Sequence, residues 1–223
     1  MNILVVASHP DDEVIGAGGA ILKHVSQGDC VYALVLGDGK SSRYSTVPKN
    51  IIETSKKEME LASKTLGIKK VISGSLKSNR FDSYDMLDIV KIIENAIKSY
   101  DINIIYTHWE NDLNNDHRIA FKSTITAARP LPESKVTKIL SFETLSSTEW
   151  NFSDSKSFFP NYFVDISDHV EKKMEALSCY KSELRAFPHP RSLEAIKNRS
   201  KNHGSTSGFF YAEGFKFVMG RER

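Results

Sequence analysis

Five residues near the start of the chain, His9-Pro10-Asp11-Asp12-Glu13, place an imidazole beside three consecutive carboxylates. Adjacent carboxylates repel one another, so something must offset the crowding. His and Asp are both good ligands for zinc or a similar divalent ion, and a bound cation would relieve the repulsion. Acids at a helix start are also favoured by the helix dipole alone. The dipole accounts for Asp11, Asp12 and Glu13, but not for His9 beside them. Pro10 fixes how the chain turns here, and such a turn lets His9 and Asp12 point to one spot with Asp11 next to it. A second cluster, "HWENDLNNDHR" from 108 to 118, holds His108, Asp112, Asp116 and His117. Two His and one Asp converging would give three protein ligands and an open position, the pattern of a catalytic zinc. A structural site would close with a fourth ligand, and the sequence offers no cysteines for one.

The elements around these clusters bring them to one place. "NILVVA" (2–7) reads as a fully buried strand and "EVIGAGGAILKHVSQG" (13–28) as a helix ended by Gly28. "VYALVLG" (31–37) is a second buried strand, followed by a polar loop, "SSRYSTVPKN". "IIETSKKEMELASKTLG" (51–67) has Leu61, Ala62 and Leu66 at helical spacing and Gly67 as its C-cap. A short strand, "KKVISG", follows. In "SYDMLDIVKIIENAIKSY" (83–100), Leu87, Val90, Ile93, Ala96 and Ile97 share a face. "DINIIYTH" (101–108) is a fourth strand and "DHRIAFKSTITAA" the helix after it. This alternation predicts an α/β fold, a Rossmann-like three-layer sandwich with a mostly parallel sheet and helices on both faces. Ligands in such sheets bind outside the carboxyl ends of the strands, where both acidic clusters fall.

The second half is less regular. "KILSFET", "NYFVDIS" and "YAEGFKFVM" read as strands, and "DHVEKKMEALSCYKSEL" (168–184) and "SLEAIKNRSKNHG" as helices. Asp168 with Glu171 three residues on predicts a capping box. "FPHPRS" is a proline-stiffened turn. With no repeat, low-complexity tract or linker, one domain over residues 1–223 is expected.

Composition excludes several classes. A net charge of +2, with no basic block, argues against nucleic acid as partner. No apolar stretch reaches the ~20 residues of a membrane helix, and the first residues lack the pattern of a signal peptide. Cys30 and Cys179 form no CxxC pair and read as buried thiols of a reducing compartment, so a cytoplasmic location is expected. "GAGG" (16–19) lacks the G-x-G-x-x-G order of a dinucleotide loop, and a phosphate there would face Asp11 and Asp12. These glycines instead suit close packing of helix on sheet.

"SHPDDEVIGAGG" resembles the "AHPDDE" signature of the PIG-L / LmbE-like family, relatives of N-acetylglucosaminyl-phosphatidylinositol de-N-acetylase. "DLNNDHR" resembles that family's second motif, and "SNRFDS", "HPRS" and "AEGF" extend the resemblance over nearly the whole chain. The resemblance implies a zinc-dependent hydrolase that removes an N-acetyl group from an amino sugar, sugar nucleotide or sugar conjugate. Its metal ligands would be His9, Asp12 and His117, and its general base Asp11. Iron(II) suits two His and one carboxylate nearly as well as zinc. Many relatives carry a His where this chain has Asn114, an amide that can donate a hydrogen bond but carries no charge. Either Asn114 stabilises the oxyanion, or His189 in "HPRS" replaces it, with Arg191 holding an anionic or hydroxyl-rich substrate.

Other residues have two readings each. Arg80 and Asp82 could grip sugar hydroxyls or brace a loop as a pair. Trp109 could stack on a sugar face or wall the site. Glu213 could orient a ligand or serve as a structural partner. Beside the sugar deacetylase stand a metal-dependent amidase acting on a thiol conjugate or secondary metabolite, and a sugar-binding relative without catalysis. The chain leaves a homo-oligomer open.

Overall fold

The computed structural model describes residues 1–44, 46–152 and 157–222. The first strand, β1 (Asn2–Ala7), carries alternate residues into two cores, Ile3, Val5 and Ala7 on one face and Leu4 and Val6 on the other. That two-sided burial is why the run is continuously apolar. Helix α1 (Asp12–Ser26) follows, then β2 (Cys30–Gly37), α2 (Lys49–Leu66), β3 (Lys70–Leu76), α3 (Met86–Ser99), β4 (Ile104–His108), α4 (Asn115–Ala127) and β5 (Lys138–Phe142). β6 (Tyr162–Asp165), α5 (Val170–Ser178), α6 (Leu193–Ser207) and β7 (Ala212–Gly220) complete the order. The strands form one seven-stranded sheet in the order β3-β2-β1-β4-β5-β7-β6. Five are parallel, and β7 runs antiparallel to both β5 and β6.

One core packs α1, α2 and α5 on the sheet, and the other packs α3 and α4 on its opposite face. The expected three-layer α/β arrangement is therefore present. Helix α1 is buried continuously from Asp12 to Leu22. Its glycines allow this: a Cβ on Gly16 would fall 2.2 Å from the Phe142 ring, and one on Gly19 2.6 Å from Ile166. The chain order reverses between β1 and β4, the crevice where such folds bind ligands. Among the described residues, no helix is long and apolar enough to cross a membrane.

Several expectations need correction. Helix α5 ends at Ser178 rather than Leu184, because Tyr180 and Glu183 are drawn out of helical register to partners on other elements. Its N-cap is His169, without a side-chain cap bond, so the box at Asp168 does not form. Leu61 and Leu87 are exposed; each lies just outside the apolar stripe that its helix buries. Both cysteines are free but only partly buried.

Candidate metal centre

His9 leaves β1 at its carboxyl end, and Pro10 carries the chain over to Asp11, which adopts φ 101°. That left-handed conformation is uncommon outside glycine and costs on the order of 1–3 kcal/mol. It is held by the Asp11 N–H, which donates to Glu13 Oε2 at 3.1 Å, while the Tyr180 hydroxyl donates to Glu13 Oε1 at 2.6 Å. The turn swings Asp12 back under His9, whose N–H donates to Asp12 Oδ2 at 2.8 Å.

His117, in the first turn of α4, meets this pair from the other side of the crevice. Ligand atoms of His9, Asp12 and His117 all lie within 4.8 Å of one another. His9 Nδ1 is 3.3 Å and His117 Nε2 3.4 Å from Asp12 Oδ2. The other nitrogen of each ring faces a second carboxylate: His9 Nε2 is 2.9 Å from Asp116, and His117 Nδ1 is 3.2 Å from Asp112. Such outer carboxylates fix the orientation of ligating imidazoles. Asp116 is itself held by the N–H groups of Asn79 and Phe81, and Asp112 by the hydroxyls of Ser147 and Thr148. His108 takes another part: its Nε2 accepts the Ser8 N–H at 2.8 Å, and its ring stacks on His117 with centroids 4.0 Å apart.

Two atoms at the centre of this cluster, Asp12 Oδ1 and His117 Nε2, are buried without a hydrogen-bond partner. Burial would push the His117 ring down, yet Asp12 and Asp112 outweigh it and drive its pKa up to about 10. Burial likewise opposes ionisation of Asp12, and His117 outweighs it, holding that carboxyl well below its usual range. The cluster thus favours positive charge at its centre, and one divalent cation fits these donors.

Asp11 stands beside the group with its carboxylate 3.0 Å from Arg191. Burial pushes Asp11 up to about 8, against the opposing pull of Arg191. Arg191 also donates through Nε to Ser146 Oγ at 2.7 Å. A polar cleft of about 90 Å³ opens over these residues, walled by His9, Pro10, Asp11, Asn114, Asn79, Ser78, Ser42, Arg43, Glu183 and Arg191 among others.

Asn114 is at the cleft, where its Oδ1 caps α4 by accepting the Asp116 N–H at 2.9 Å and its Nδ2 lies 3.3 Å from Asn79 Oδ1. His189 does not line the cleft. Its Nδ1 accepts the Arg191 N–H at 3.0 Å, and Trp150 packs edge-on to its ring. Trp109 is buried behind the site against Phe158. Arg80 and Asp82 are exposed in the turn before α3, and no ion pair between them is found among the described residues. Glu213 lies below the site, accepting the N–H groups of Gly19 and Ala20 and paired with Lys173 at 2.7 Å. Lys173 also donates to the Ile15 carbonyl, so the pair inserts between successive turns of α1.

Sequence reasoning missed Glu183, which binds Lys40 and takes both arms of Arg43. It also assigned no roles to Tyr180, Asp112 and Asp116. The outer carboxylates were findable, since both lie in the second acidic cluster. Tyr180 and Glu183 carry no local signal.

The PIG-L family, described as GlcNAc-PI de-N-acetylase, matches residues 4–128, more than half of the chain and all of the metal group. The chain belongs to this family. It is 28% identical over 187 residues to the uncharacterized deacetylase YaiS of Escherichia coli K12, covering 81% of this chain and 91% of that one. It is 26% identical over 234 residues to diacetylchitobiose deacetylase from Thermococcus kodakarensis, covering 98% and 84%. Among solved structures, the 4-carboxy-2-hydroxymuconate hydratase GalB of Pseudomonas putida KT2440 superimposes with a TM-score of 0.78 at 21% identity, covering 100% and 98%. That last likeness shows the fold alone. A fold shared between deacetylases and a hydratase leaves the reaction to be argued from the site.

Proposed function

We propose that the protein is a metal-dependent hydrolase that removes the N-acetyl group from an amino sugar, sugar nucleotide or sugar conjugate. The observation that carries this reading is the His9-Asp12-His117 group, each imidazole backed by a carboxylate, with a buried carboxyl at Asp11 beside it. His9, Asp12 and His117 would hold the cation, zinc in this reading. When bound, it would supply Lewis-acid chemistry, polarising the acetamide carbonyl and making water a stronger nucleophile.

The chain's own residues do the rest. Asp11 takes a proton from the attacking water as oxygen adds to the acetamide carbon. It then returns that proton to the departing nitrogen as the C–N bond breaks, leaving acetate and a free amine. Arg191 orients Asp11 and, by opposing burial, favours its ionised form. Oxyanion charge falls to a neutral donor, and Asn114 Nδ2 at the cleft is better placed for this than His189. The hydroxyls and amides of Ser42, Ser78 and Asn79 suit a hydroxyl-rich sugar. The relatives' names support the acetyl group as the one removed: YaiS is called a deacetylase, and the Thermococcus enzyme a diacetylchitobiose deacetylase.

The test is metal content by plasma mass spectrometry with acetate release from a panel of N-acetyl sugars. The expected result is about one metal per chain in the wild type and in Asp11→Asn, and none in His117→Ala. Acetate release should fall at least ~10²-fold in Asp11→Asn. A wild type without metal after zinc is supplied would sink the mechanism. Metal and sugar binding without turnover in any form would make this a sugar-binding protein instead.

A further inference from the structure

A second cavity, about 330 Å³, lies beside the metal-site cleft, between α2 and the carboxyl ends of β2 and β3. It falls within the size range of small-molecule sites. The two spaces share Pro10 as a wall, and the turn through Asp38, Gly39 and Lys40 contributes residues to both, Asp38 and Lys40 to this cavity and Gly39 to the cleft. Asp38 fixes that turn by accepting from the N–H groups of Lys40 and Ser41 and from the Ser78 hydroxyl. Inside, Val35 and Met59 form a buried apolar floor, and Val47 and Ile52 stand at the rim, with Ile52 53% exposed. Lys40 contributes only its stem, because its ammonium is bound to Ser182 and Glu183.

The cavity is built into the sheet. Pairing of β2 with β3 shifts register there, from Val35–Ser73 to Gly37–Leu76, which places an extra residue in β3. Gly74 sits in that bulge, and a Cβ on it would fall 2.2 Å from the Leu36 carbonyl oxygen. Bulges of this kind re-aim a strand beside a functional site.

We propose that this cavity receives an apolar group carried by the amino sugar, on the amine side of the bond that is cut. The proposal rests on the acetyl reading above. An acetyl group is two carbons long and needs no such space, so the occupant belongs to the part of the substrate that remains after acetate leaves. The substrate is then an N-acetyl amino sugar with an alkyl or aryl aglycone rather than a free sugar.

The experiment compares the methyl and hexyl glycosides of N-acetylglucosamine by kcat/KM. It also compares the two deacetylated glycosides by calorimetric binding to the metal-loaded protein. The hexyl compound should be favoured at least tenfold in both, the effect of burying two or three methylenes. Ile52→Asp and, independently, Val47→Asp should bring the hexyl-to-methyl ratio near one, whereas Leu87→Asp on α3 should leave it unchanged. Both cavity variants alter the rim and not the floor, so the fold is spared. Equal values for the two glycosides, or a preference that survives both rim variants, would overturn the proposal. So would a gain on lengthening the N-acyl chain that the rim variants abolish, since the cavity would then hold the acid. Calorimetric preference without acetate release would uphold the cavity and overturn the deacetylase reading.

Discussion

Residues 1–142 lay down five parallel strands, and residues 162–220 add two strands at the β5 edge through antiparallel pairing. All three members of the metal group come from the first stretch, from the turn between β1 and α1 and from the first turn of α4. From the second come the groups that hold the first in place: Tyr180 on Glu13, Arg191 on Asp11, and Glu213 with Lys173 on α1. The contrast separates binding a cation from using it. One half can assemble the proposed ligands; the other sets the conformation of Asp11, the proposed base.

The largest effect that would break this division is expected at Glu213. Its carboxylate and the Lys173 ammonium are both buried, so Glu213→Gln leaves a buried charge without its counter-ion. A loss of about 3–5 kcal/mol follows, read by urea unfolding. Metal per folded molecule should be retained. If it is lost in step with stability, the C-terminal half forms the ligand group rather than supporting it. Arg191→Ala comes next, with acetate release falling about 10²-fold, or ~2.7 kcal/mol, at unchanged metal content. An unaltered rate would remove the second half from the chemistry.

A smaller effect, dependent on pH, is expected where α6 meets the end of β5. Glu143 is buried and joins α6 to the sheet through His203 and Arg199. Burial pushes its carboxyl up, but His203 and Arg199 outweigh this and hold it below its ordinary 4.5. A carboxyl lowered by folding stabilises above its unfolded pKa, and the contribution is lost as pH falls through the folded value. Glu143→Gln should therefore cost about 2 kcal/mol at neutral pH, a deficit that shrinks below pH ~4.5. A deficit that stays constant with pH would place the cost in packing rather than charge.

The same division governs what the sequence reveals. In the parallel half, local patterns carry the structure: strands buried on both faces read as unbroken apolar runs, and His9 and Asp12 are three residues apart on one turn. Asp112 and Asp116 flank His117 closely enough to be seen as one cluster. In the C-terminal half the informative contacts are single side chains at long separations. Tyr180 reaches Glu13 across 167 positions and Arg191 reaches Asp11 across 180. No periodicity or spacing marks such a pair. The overlong reading of α5 has the same origin, because the helical pattern continues past Ser178 while tertiary partners redirect Tyr180 and Glu183. Arg80, Asp82 and His189 were singled out by their motifs, but the structure leaves the first two exposed in a turn and engages the third with Arg191.

The order of these contributions along the chain also orders them in time. A ribosome makes His117 before Arg191 and Glu213, and at ~5–20 residues per second the gap is on the order of 5–20 s. The proposed cation ligands thus exist before the arginine that pairs with Asp11 and before the strand that anchors α1. If the first half folds as it emerges, metal capture is expected to precede catalytic competence. A ribosome-bound chain stalled between His117 and Arg191 should take up metal and release no acetate; failure to take up metal would show that the ligand group needs the later strands to form.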